Sequence, residues 1–448
     1  MHKLLPKKLK TLASVLNKPL YVVGGACRDF LADLKRADSD WDVCAPLSAE
    51  TVCAAAEGVG FNMTAVYKNT GTVLMSADGE NYEFTSFRTD RYVRGKHSPE
   101  EVFFTDDIES DARRRDFKCN AVYYDIVAQK FVDPLGGIKD IEDKKVTTVV
   151  SAKKVFGEDG LRLMRLCRIA AQVGFTPTEA CLDGARENCA LIGDIAKERI
   201  GAELNAILNA DLKYGVKGAQ YVGLKLLSQT GVLAHILPEI AAGAGMEQRN
   251  DYHDHDVLEH TLRCVLYAPP KIRLAALLHD VGKPYCKINF GKYARHEEVG
   301  AEIAADICRR LCVPSRVAER VCALVRLHMY DLSGAASENK VRKFIVRNLG
   351  LLDDLLLLKQ ADFSACKDDL SVAPCVEKWK NIFNRMQSEG VPLTLKQLAV
   401  RGNELIGAGI CPDETAKTLT MLLEECVIGN VLNDREMLIK YALARRGR

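Results

Sequence analysis

The residues best suited to chemistry lie in the first tenth of the chain. A Gly24-Gly25 pair precedes Arg28-Asp29, and two aspartates, Asp40 and Asp42, are separated by one residue. Alternate residues of a strand point to the same face of a sheet, so both carboxylates share one face. Carboxylates placed in this way can hold Mg²⁺, and a glycine pair after a short strand lets backbone approach a phosphate closely. The pattern predicts metal-assisted chemistry on a phosphate.

A third acid, Glu83, lies in the middle of an apolar strand predicted over residues 82–88. A charge in such a strand is costly unless it is paired or bound to a metal. Glu83 would therefore complete a catalytic set with Asp40 and Asp42, in which Mg²⁺ activates a hydroxyl group and stabilises a leaving pyrophosphate. The alternative is that Glu83 is a surface residue on an edge strand.

A run of three arginines, residues 113–115, directly precedes an apolar strand. Arginine is the preferred planar partner of phosphates and sugars, which makes this run a candidate binding segment for such groups. Asp116 and Asn120 can order the local backbone. The alternative is a solvated charge run.

A second candidate segment is the helix start at residues 158–168. Asp159 and Arg162 are three residues apart and therefore neighbours on one helix face, where an acceptor beside a donor can read the edge of a base. Arg165 continues the row. Arg168 lies half a turn from Asp159, so helix geometry alone does not place it in the same pocket. Simple complementarity with the helix dipole is the alternative.

Composition agrees with a globular enzyme of several domains. The 448 residues are 48% hydrophobic and 27% charged, and the net charge is +2, so a nucleic-acid site must be a local patch. Strands and helices mix up to about residue 150, with a helix over 49–59 and a polar loop over 89–113. Helical periodicity dominates afterwards, for example over 156–173 and 272–280.

The cysteines and the termini predict a cytoplasmic protein. The sixteen cysteines are irregularly spaced and form no CxxC pair, and the basic first ten residues are not followed by an apolar core. The run 355–358 is far too short to span a membrane. We expect no membrane association and see no sign of a protein partner.

Five segments, in order along residues 21–204, resemble the class II tRNA nucleotidyltransferase and poly(A) polymerase superfamily. They are Gly24–Asp29, the Asp40/Asp42 pair, Arg114–Phe117, Glu158-Asp159 with Arg162, and Lys197–Ile200 with Glu203-Leu204. One departure is Gly160, which stands where the family usually has proline. Proline is pre-organised at a first helical position, so Gly160 predicts a looser helix start.

The resemblance implies an α+β protein. Its predicted parts are a nucleotidyltransferase head with a mixed sheet (1–150), a helical neck and body for nucleotide selection and RNA binding (151–245), an HD-type helical domain (246–370) and a helical tRNA-binding tail (371–448). It implies that Asp159 and Arg162 select CTP and ATP without a nucleic-acid template. It also implies a nucleotide-binding set of Gly24, Gly25, Arg28, Arg115, Asp116, Asn120, Asp159, Arg162, Arg165 and Arg168.

Six of the nine histidines fall between residues 253 and 328. His279-Asp280 ends an apolar helix, and imidazole with carboxylate suits a transition metal or Mn²⁺. The pattern resembles the HD phosphohydrolase domain, which implies His260, His279, Asp280 and Asp362 as metal ligands and His296 and His328 as accessory residues. The alternative is a domain that keeps the fold and no longer hydrolyses a substrate.

The resemblance leads to one preferred function: addition of CCA to the 3′ end of tRNA from CTP and ATP, with Mg²⁺. Poly(A) polymerase shares the head segments, but the HD-like part and the lack of a long basic C-terminal extension favour the tRNA enzyme. An enzyme that adds only CC or only A is the other alternative. The charged loop 89–113, linked in this family to the switch to A addition, favours complete CCA.

Overall fold

The computed structural model describes residues 1–35, 40–91, 100–248 and 254–445. The chain forms two compact units, one of Met1–Gly243 with Ile307–Val313 and one of Ala244–Asp306 with Pro314–Arg448. Strands occur in the first unit and the second is helical, which confirms the α+β class. In these described ranges, no helix combines the length and hydropathy needed to cross a bilayer. All sixteen cysteines are free thiols.

The first unit is built on a seven-stranded mixed sheet with the strand order β3-β4-β5-β2-β1-β8-β9. Parallel pairing of β2 with β5 places these two strands inside the sheet, and the remaining pairs are antiparallel. Two further pairs, β6-β7 and β10-β11, lie outside it. The strands are β1 (Tyr21–Val22), β2 (Asp40–Ala45), β3 (Asn62–Tyr67), β4 (Thr72–Ala77), β5 (Glu80–Ser86), β6 (Arg88–Arg91), β7 (Glu101–Phe104), β8 (Tyr123–Asp125), β9 (Lys130–Val132), β10 (Lys145–Val146) and β11 (Thr176–Pro177).

Five helices accompany the sheet in the first 150 residues, and the helix predicted over 49–59 is confirmed as α3. The loop predicted over 89–113 is wrong in its described part, because β6 pairs with β7 and α4 follows, capped by the Asp107 side chain. Residues 92–99 of that loop lie outside the described residues. The helices are α1 (Lys7–Val15), α2 (Gly25–Leu31), α3 (Ala49–Gly58), α4 (Ile108–Arg113) and α5 (Gly137–Glu142).

The rest of the first unit is helical, and its central helix is α7, whose apolar residues are almost all buried. The single helix predicted over 156–173 is wrong. Asp159 has an extended backbone and separates α6 from α7. Its carboxylate accepts a hydrogen bond from the Leu161 amide and so begins a new helix. The helices are α6 (Ala152–Glu158), α7 (Leu161–Val173), α8 (Glu179–Asn188), α9 (Lys197–Leu208), α10 (Ala210–Tyr214), α11 (Ala219–Gln229), α12 (Val232–Ile236) and α13 (Pro238–Ala241).

The second unit is a set of packed helices, among which α14 and α20 run against each other. The helix predicted over 272–280 ends earlier, at Leu278, so His279 and Asp280 follow its last turn. The basic end of the chain, residues 446–448, lies outside the described residues. The helices are α14 (Val257–Tyr267), α15 (Arg273–Leu278), α16 (Gly282–Phe290), α17 (His296–Arg310), α18 (Ser315–Leu327), α19 (Glu338–Arg347), α20 (Leu352–Lys367), α21 (Pro374–Ser388), α22 (Gly402–Gly407), α23 (Pro412–Val427) and α24 (Arg435–Ala444).

Candidate active site and candidate metal centre

The three predicted catalytic carboxylates lie on one open face of the sheet. Strand β2 alternates exposed and buried residues, so Asp40 and Asp42 face outward while Trp41 between them is buried. The parallel register with β5 places Asp42 opposite Glu83. Asp40 lies opposite Asn81, whose amide donates to Asp40 Oδ1 over 3.1 Å. The fold thus places the acids that the sequence suggested on neighbouring strands of one sheet.

Glu83 does not lie on an edge strand, because β5 pairs with β2 on one side and β4 on the other. The edge-strand part of the alternative is therefore wrong, although the Glu83 side chain is exposed on the face of the sheet. Partial desolvation and the like charge of Asp42 both raise the pKa of Glu83. The like charges of Asp42 and Glu83 disfavour each other, and a cation bound by both would compensate them. A hard divalent ion with oxygen ligands therefore fits this donor set.

The first glycine of the Gly24-Gly25 pair is required by the geometry. Gly24 has φ +75°, and a Cβ atom there would lie 2.8 Å from Asp42 Oδ2. A side chain at this position would be strained and would also displace the carboxylate. The turn therefore keeps the space beside Asp42 open, next to the start of α2.

Arg28 points from α2 into the same region and is almost fully buried. Its Nη1 donates to Asn120 Oδ1 over 2.7 Å, and its Nε and Nη2 donate to Asp29 Oδ1 over 3.0 and 2.6 Å. The structure thus joins Arg28 and Asn120, which are 92 residues apart and were both predicted to bind a nucleotide. A guanidinium fixed in this way is ready to bind an anion.

The arginine run is organised by Asp111, a residue that the sequence reasoning missed. Its fully buried carboxylate accepts from Arg114 Nε over 2.8 Å, Arg115 Nη2 over 3.0 Å and the Tyr123 hydroxyl over 2.7 Å. Burial opposes ionisation, but Arg115 and Arg114 outweigh it and hold the pKa of Asp111 at about 2. The available signal was an acid placed three and four residues before two arginines on a helix end.

Asp116 ties the arginine run to α7. Its Oδ2 accepts from Arg165 Nε over 2.8 Å and from Arg165 Nη2 over 2.6 Å, while Oδ1 accepts from the Phe117 amide and from Asn120. Arg165 outweighs the cost of burial and lowers the pKa of Asp116 to about 2. The pair fixes Arg165 towards the head, which the sequence alone did not reveal.

Asp159 and Arg162, the predicted base-reading pair, are both buried at the start of α7. Arg162 donates to Glu158 Oε2 over 3.0 Å, to the Val155 carbonyl over 3.2 Å and to the Arg114 carbonyl over 2.8 Å. These contacts hold the guanidinium in one orientation. A fixed donor beside a carboxylate acceptor is the arrangement needed to tell one base edge from another.

Arg168 lies on the same wall, although helix geometry alone did not predict it. Glu203 of α9 accepts from Arg168 Nε over 2.6 Å and from Nη2 over 3.3 Å, and Gln172 accepts from Nη1 over 3.2 Å. The reason is that the cavity extends along α7 for more than one turn, so residues from more than one side of this helix line it. Here the expectation from the family resemblance was the better guide.

These residues share one cavity of about 500 Å³. All ten predicted nucleotide-binding residues line it together with Asp42 and Glu83, and Asp40 lines an adjoining cavity with the same two acids. Further lining residues were not in the predicted nucleotide-binding set, although Arg114 and Arg199 lie in the segments that carry the family resemblance, and Arg88 and Asp90 are of opposite charge and two apart on a strand. These further residues are Arg88, Asp90, Arg114, Leu161, Ile169, Gln172, Arg199 and Lys213.

The second unit contains a separate cluster of buried imidazoles and carboxylates. Ligand atoms fall into two groups in which all members lie within 4.8 Å of one another: His260 with His279 and Asp362, and Asp280 with His296 and His328. All four predicted ligands are in this cluster. His296 and His328, predicted as accessory residues, also belong to it, in the group that contains Asp280. His255 instead lies 3.8 Å from Asp368, and His253 is outside the described residues.

Asp280 joins the two groups through its two oxygens. Its Oδ2 lies 3.1 Å from His279 Nε2, and its Oδ1 lies 3.2 Å from His296 Nε2. Burial alone would raise the pKa of Asp280, but His279 and Lys283 outweigh it and hold the pKa well below its usual range. The Asp280 carboxylate is therefore ionised, and the positive charges of its neighbours compensate it. Bound divalent cations would compensate the same charge.

Three of the histidines are oriented by backbone carbonyls. Nδ1 of His279, His296 and His328 lies 2.8, 2.8 and 2.6 Å from the carbonyl oxygen three residues earlier in the chain. Because a carbonyl can only accept, each Nδ1 carries the hydrogen and each Nε2 faces the cluster. A hydrogen-bonded Nδ1 with Nε2 directed inward is the usual arrangement of a metal-binding histidine. The donor set fits a transition metal or Mn²⁺.

Three segments of the chain match known protein families. Residues 20–147 match the poly A polymerase head domain, residues 174–243 the probable RNA and SrmB-binding site of polymerase A, and residues 257–365 the HD domain. The first match covers the sheet and the carboxylates, and the last covers the histidine cluster.

Named relatives match much of the chain. The A-adding tRNA nucleotidyltransferase of Deinococcus radiodurans is 32% identical over 363 residues, which is 77% of this chain and 76% of the relative. The CCA-adding enzyme of Geobacillus kaustophilus is 36% identical over 223 residues, 50% of this chain and 51% of the relative. The structure of the Bacillus stearothermophilus CCA-adding enzyme in complex with CTP has the same fold, with a TM-score of 0.68, 24% identity and coverage of 98% and 97% of the two chains.

Proposed function

The chain belongs to the tRNA nucleotidyltransferase family and carries an HD domain, and we propose that it completes the 3′ end of tRNA by adding CCA from CTP and ATP. Membership of these two families implies dependence on divalent metal ions. One observation supports the proposal above the others: Asp42 and Glu83 line the same 500 Å³ cavity as Asp159 and Arg162. Carboxylates for the reaction and side chains for base choice thus face one bound nucleotide.

Asp40, Asp42 and Glu83 are the catalytic residues in this proposal and hold Mg²⁺. An ion held by these carboxylates would supply Lewis-acid chemistry for activation of the 3′ hydroxyl of tRNA and stabilisation of the leaving pyrophosphate. The hydroxyl oxygen bonds to the α-phosphorus of the nucleotide as the bond to pyrophosphate breaks. The open turn at Gly24 lets the nucleotide's phosphates approach Asp42 closely.

The arginines of the cavity position the nucleotide. Arg28, Arg115, Arg165 and Arg168 bind the triphosphate and ribose, and each is held in an ion pair with a carboxylate. Pre-oriented guanidinium groups lose little side-chain entropy when an anion binds. The ion pairs therefore orient the guanidinium groups for the nucleotide and do not remove their capacity to bind an anion.

Asp159 and Arg162 choose the base. Cytosine and adenine each present an amino donor next to a ring-nitrogen acceptor, which pairs with a carboxylate acceptor and a guanidinium donor. Uracil and guanine present a carbonyl acceptor next to an N–H donor, the reverse order. The same two side chains thus accept CTP and ATP and reject UTP and GTP.

The test is the sequence of the product. A tRNA transcript lacking its CCA end is incubated with Mg²⁺ and with CTP alone, ATP alone or both, and the 3′ ends are sequenced. CCA is expected with both nucleotides and CC with CTP alone. Only C residues or only A with both nucleotides would identify a partial enzyme, and long A-tails on an unrelated RNA would identify a poly(A) polymerase.

We further propose that the histidine cluster is a metal-dependent phosphohydrolase site. The buried groups bridged by Asp280 have places for two divalent ions, with His260, His279 and Asp362 at one and His296 and His328 at the other. The expected result is two bound ions per chain by elemental analysis after Mn²⁺ loading, and hydrolysis of p-nitrophenyl phosphate. His279→Ala should lose both ion binding and hydrolysis, whereas the control His235→Ala, on the exposed end of α12, should keep them. Absence of bound metal in the wild-type protein would refute this proposal.

A further inference from the structure

Tyr214 is the last residue of α10, and its side chain contacts two residues near the start of the catalytic head. Its hydroxyl donates to Asp29 Oδ2 over 2.7 Å and accepts from Arg28 Nη2 over 3.1 Å. These contacts span 185 and 186 residues of chain. Burial raises the pKa of Tyr214, and the nearby Arg28 only partly offsets this, so the hydroxyl keeps the proton that it donates.

Asn120 also holds Arg28, through Nη1, and Tyr214 acts on the pair formed by Arg28 and Asp29. The two are consecutive residues of α2, and consecutive helical residues point about 100° apart. Nevertheless one oxygen, Asp29 Oδ1, accepts from both Nε and Nη2 of Arg28. Tyr214 occupies the other oxygen, Oδ2, and so determines which side of the carboxylate faces the guanidinium.

The guanidinium held in this way belongs to a residue that lines the proposed nucleotide cavity together with Gly24 and Gly25. A Cβ atom at Gly25 would lie 3.5 Å from Arg28 Nη2, so Nη2 lies directly over the glycine pair that leaves room for a phosphate. Nη2 is also the atom that Tyr214 contacts. Nη2 donates its two hydrogens to Asp29 and Tyr214, and Nε donates to Asp29, so the hydrogen of Nη1 that Asn120 does not accept is left for a phosphate.

The fold fixes the position of Tyr214 with small buried residues. Ala171 of α7, Ala210 of α10 and Ala219 of α11 form one fully buried cluster, which lets the three helices approach closely. Gly215, with φ +72°, ends α10 immediately after Tyr214. Lys213, which lines the nucleotide cavity, lies 5.6 Å from the centre of the Tyr214 ring.

We infer that Tyr214 is a positioning residue for nucleotide binding, which holds Arg28 in the orientation that accepts the triphosphate. The inference rests on the proposed role of Arg28. Because the contact is to the triphosphate-binding group and not to Asp159 or Arg162, it affects CTP and ATP equally. It links α10 to nucleotide affinity rather than to base choice.

The test is Tyr214→Phe, which keeps the ring and removes only the hydroxyl. We expect the Kd for CTP and for ATP, measured by equilibrium dialysis on the full chain, to rise about tenfold, since the hydrogen bonds of the hydroxyl to Asp29 and Arg28 are lost. The Kd for tRNA, kcat and the preference for CTP over UTP should each stay within about twofold of the wild type. Unchanged Kd values for both nucleotides would overturn the inference, even if the melting temperature fell.

Two further variants separate the inference from its premise. In Arg28→Ala, nucleotide affinity should fall, and adding Tyr214→Phe to it should cause no further loss. If Arg28→Ala leaves affinity unchanged, the proposed role of Arg28 is wrong; if it lowers affinity and Tyr214→Phe does not, only the role of Tyr214 is wrong. Tyr267→Phe is the matched control, because Tyr267, Asp368 and Arg263 form the same type of trio in the second unit. It should leave nucleotide affinity unchanged.

Discussion

At the scale of single residues, the acid that matters most for the proposed chemistry is Glu83. The sequence suggested it only as a charge in an apolar strand, and the register of β5 against β2 explains its position opposite Asp42. Its pKa is raised because partial desolvation and the Asp42 carboxylate both disfavour its charge. A bound cation would reverse that effect, which is the expected behaviour of a metal ligand.

Glu83→Gln tests this role with almost no change of shape. The amide cannot supply the charge that a divalent ion requires, so kcat for CMP transfer should fall by about a hundredfold or more. Binding of tRNA should stay within about threefold of the wild type, because a negatively charged side chain does not contribute to the electrostatic attraction of the phosphate backbone. Single-turnover transfer and filter binding measure the two quantities. Equal losses in both would contradict a role confined to the chemical step.

Arg162→Ala tests the choice of base. Loss of the donor should increase UTP incorporation relative to CTP by about tenfold or more, because the reversed edge of uracil is no longer rejected. Affinity for triphosphate should change less than this ratio. Arg113→Ala is the control, since Arg113 is exposed and forms an i,i+4 ion pair with Glu109 on the surface of α4. An unchanged CTP to UTP ratio in Arg162→Ala would rule out the templating role.

At the scale of elements, the start of α7 shows why sequence patterns identified the site but not its construction. The apolar periodicity continued through residues 156–173, so one helix was expected. The break at Asp159 arises because its carboxylate caps the next helix. Similarly, Asp111 had no recognisable role until folding placed two arginines and Tyr123 around it. Motif order predicted which residues meet, whereas tertiary contacts decide how they are held.

Gly160 also has a different role from the one expected. Its missing side chain was predicted to loosen the helix start. The structure instead places Gly160 against the short 3₁₀ segment Cys189–Asp194, where a Cβ atom would lie 2.5 Å from the Leu191 carbonyl oxygen. Close backbone packing, rather than flexibility, explains the glycine beside the base-reading pair.

Gly160→Ala should therefore destabilise the protein by about 2 kcal/mol, the usual cost of overpacking. Gly157→Ala is the matched control three residues earlier, because its Cβ would meet only Asn188 Oδ1 at an ordinary 3.8 Å. That change should stabilise α6 by about 0.5–1 kcal/mol through helix propensity. Urea unfolding measures both. Equal effects of the same sign in the two variants would contradict the packing explanation.

At the scale of the whole molecule, stability should depend on acid pH through the buried carboxylates that hold the arginines. Asp111 has a pKa of about 2 in the folded state against 3.8 as an ordinary aspartate. Since the folded pKa is lowered, the contribution is present above about pH 4 and is lost as the pH falls towards 2. It amounts to about 2 kcal/mol at neutral pH.

The comparison with Asp111→Asn isolates this effect. At pH 7 the variant leaves Arg114 and Arg115 without their buried partner and should be less stable by about 3 kcal/mol. The difference should shrink as the pH falls from 4 to 2, because Asp111 itself becomes protonated and resembles asparagine. Urea unfolding at several pH values gives the curve. A difference that stays constant with pH would show that Asp111 is not ionised in the folded state.

The two proposed chemistries belong to different units, which predicts that they can be lost separately. His279→Ala should abolish metal binding at the histidine cluster and any phosphatase activity, because both metal groups share the region of Asp280. CMP and AMP transfer should stay within about twofold of the wild type, because none of the carboxylates of the head is touched. Parallel assays on one preparation decide the point. A joint loss of both activities would contradict two independent sites.

The central claim is that the carboxylates on the face of β2 and β5 transfer nucleotides to tRNA. The most direct measurement is single-turnover transfer of labelled CMP to a tRNA lacking its CCA end, with Mg²⁺, by the wild-type protein and by Asp42→Ala. We predict transfer by the wild-type protein that stops when EDTA is added, and no detectable transfer by Asp42→Ala with tRNA binding retained. Transfer by Asp42→Ala at the wild-type rate, or its absence in the wild-type protein, would contradict the claim.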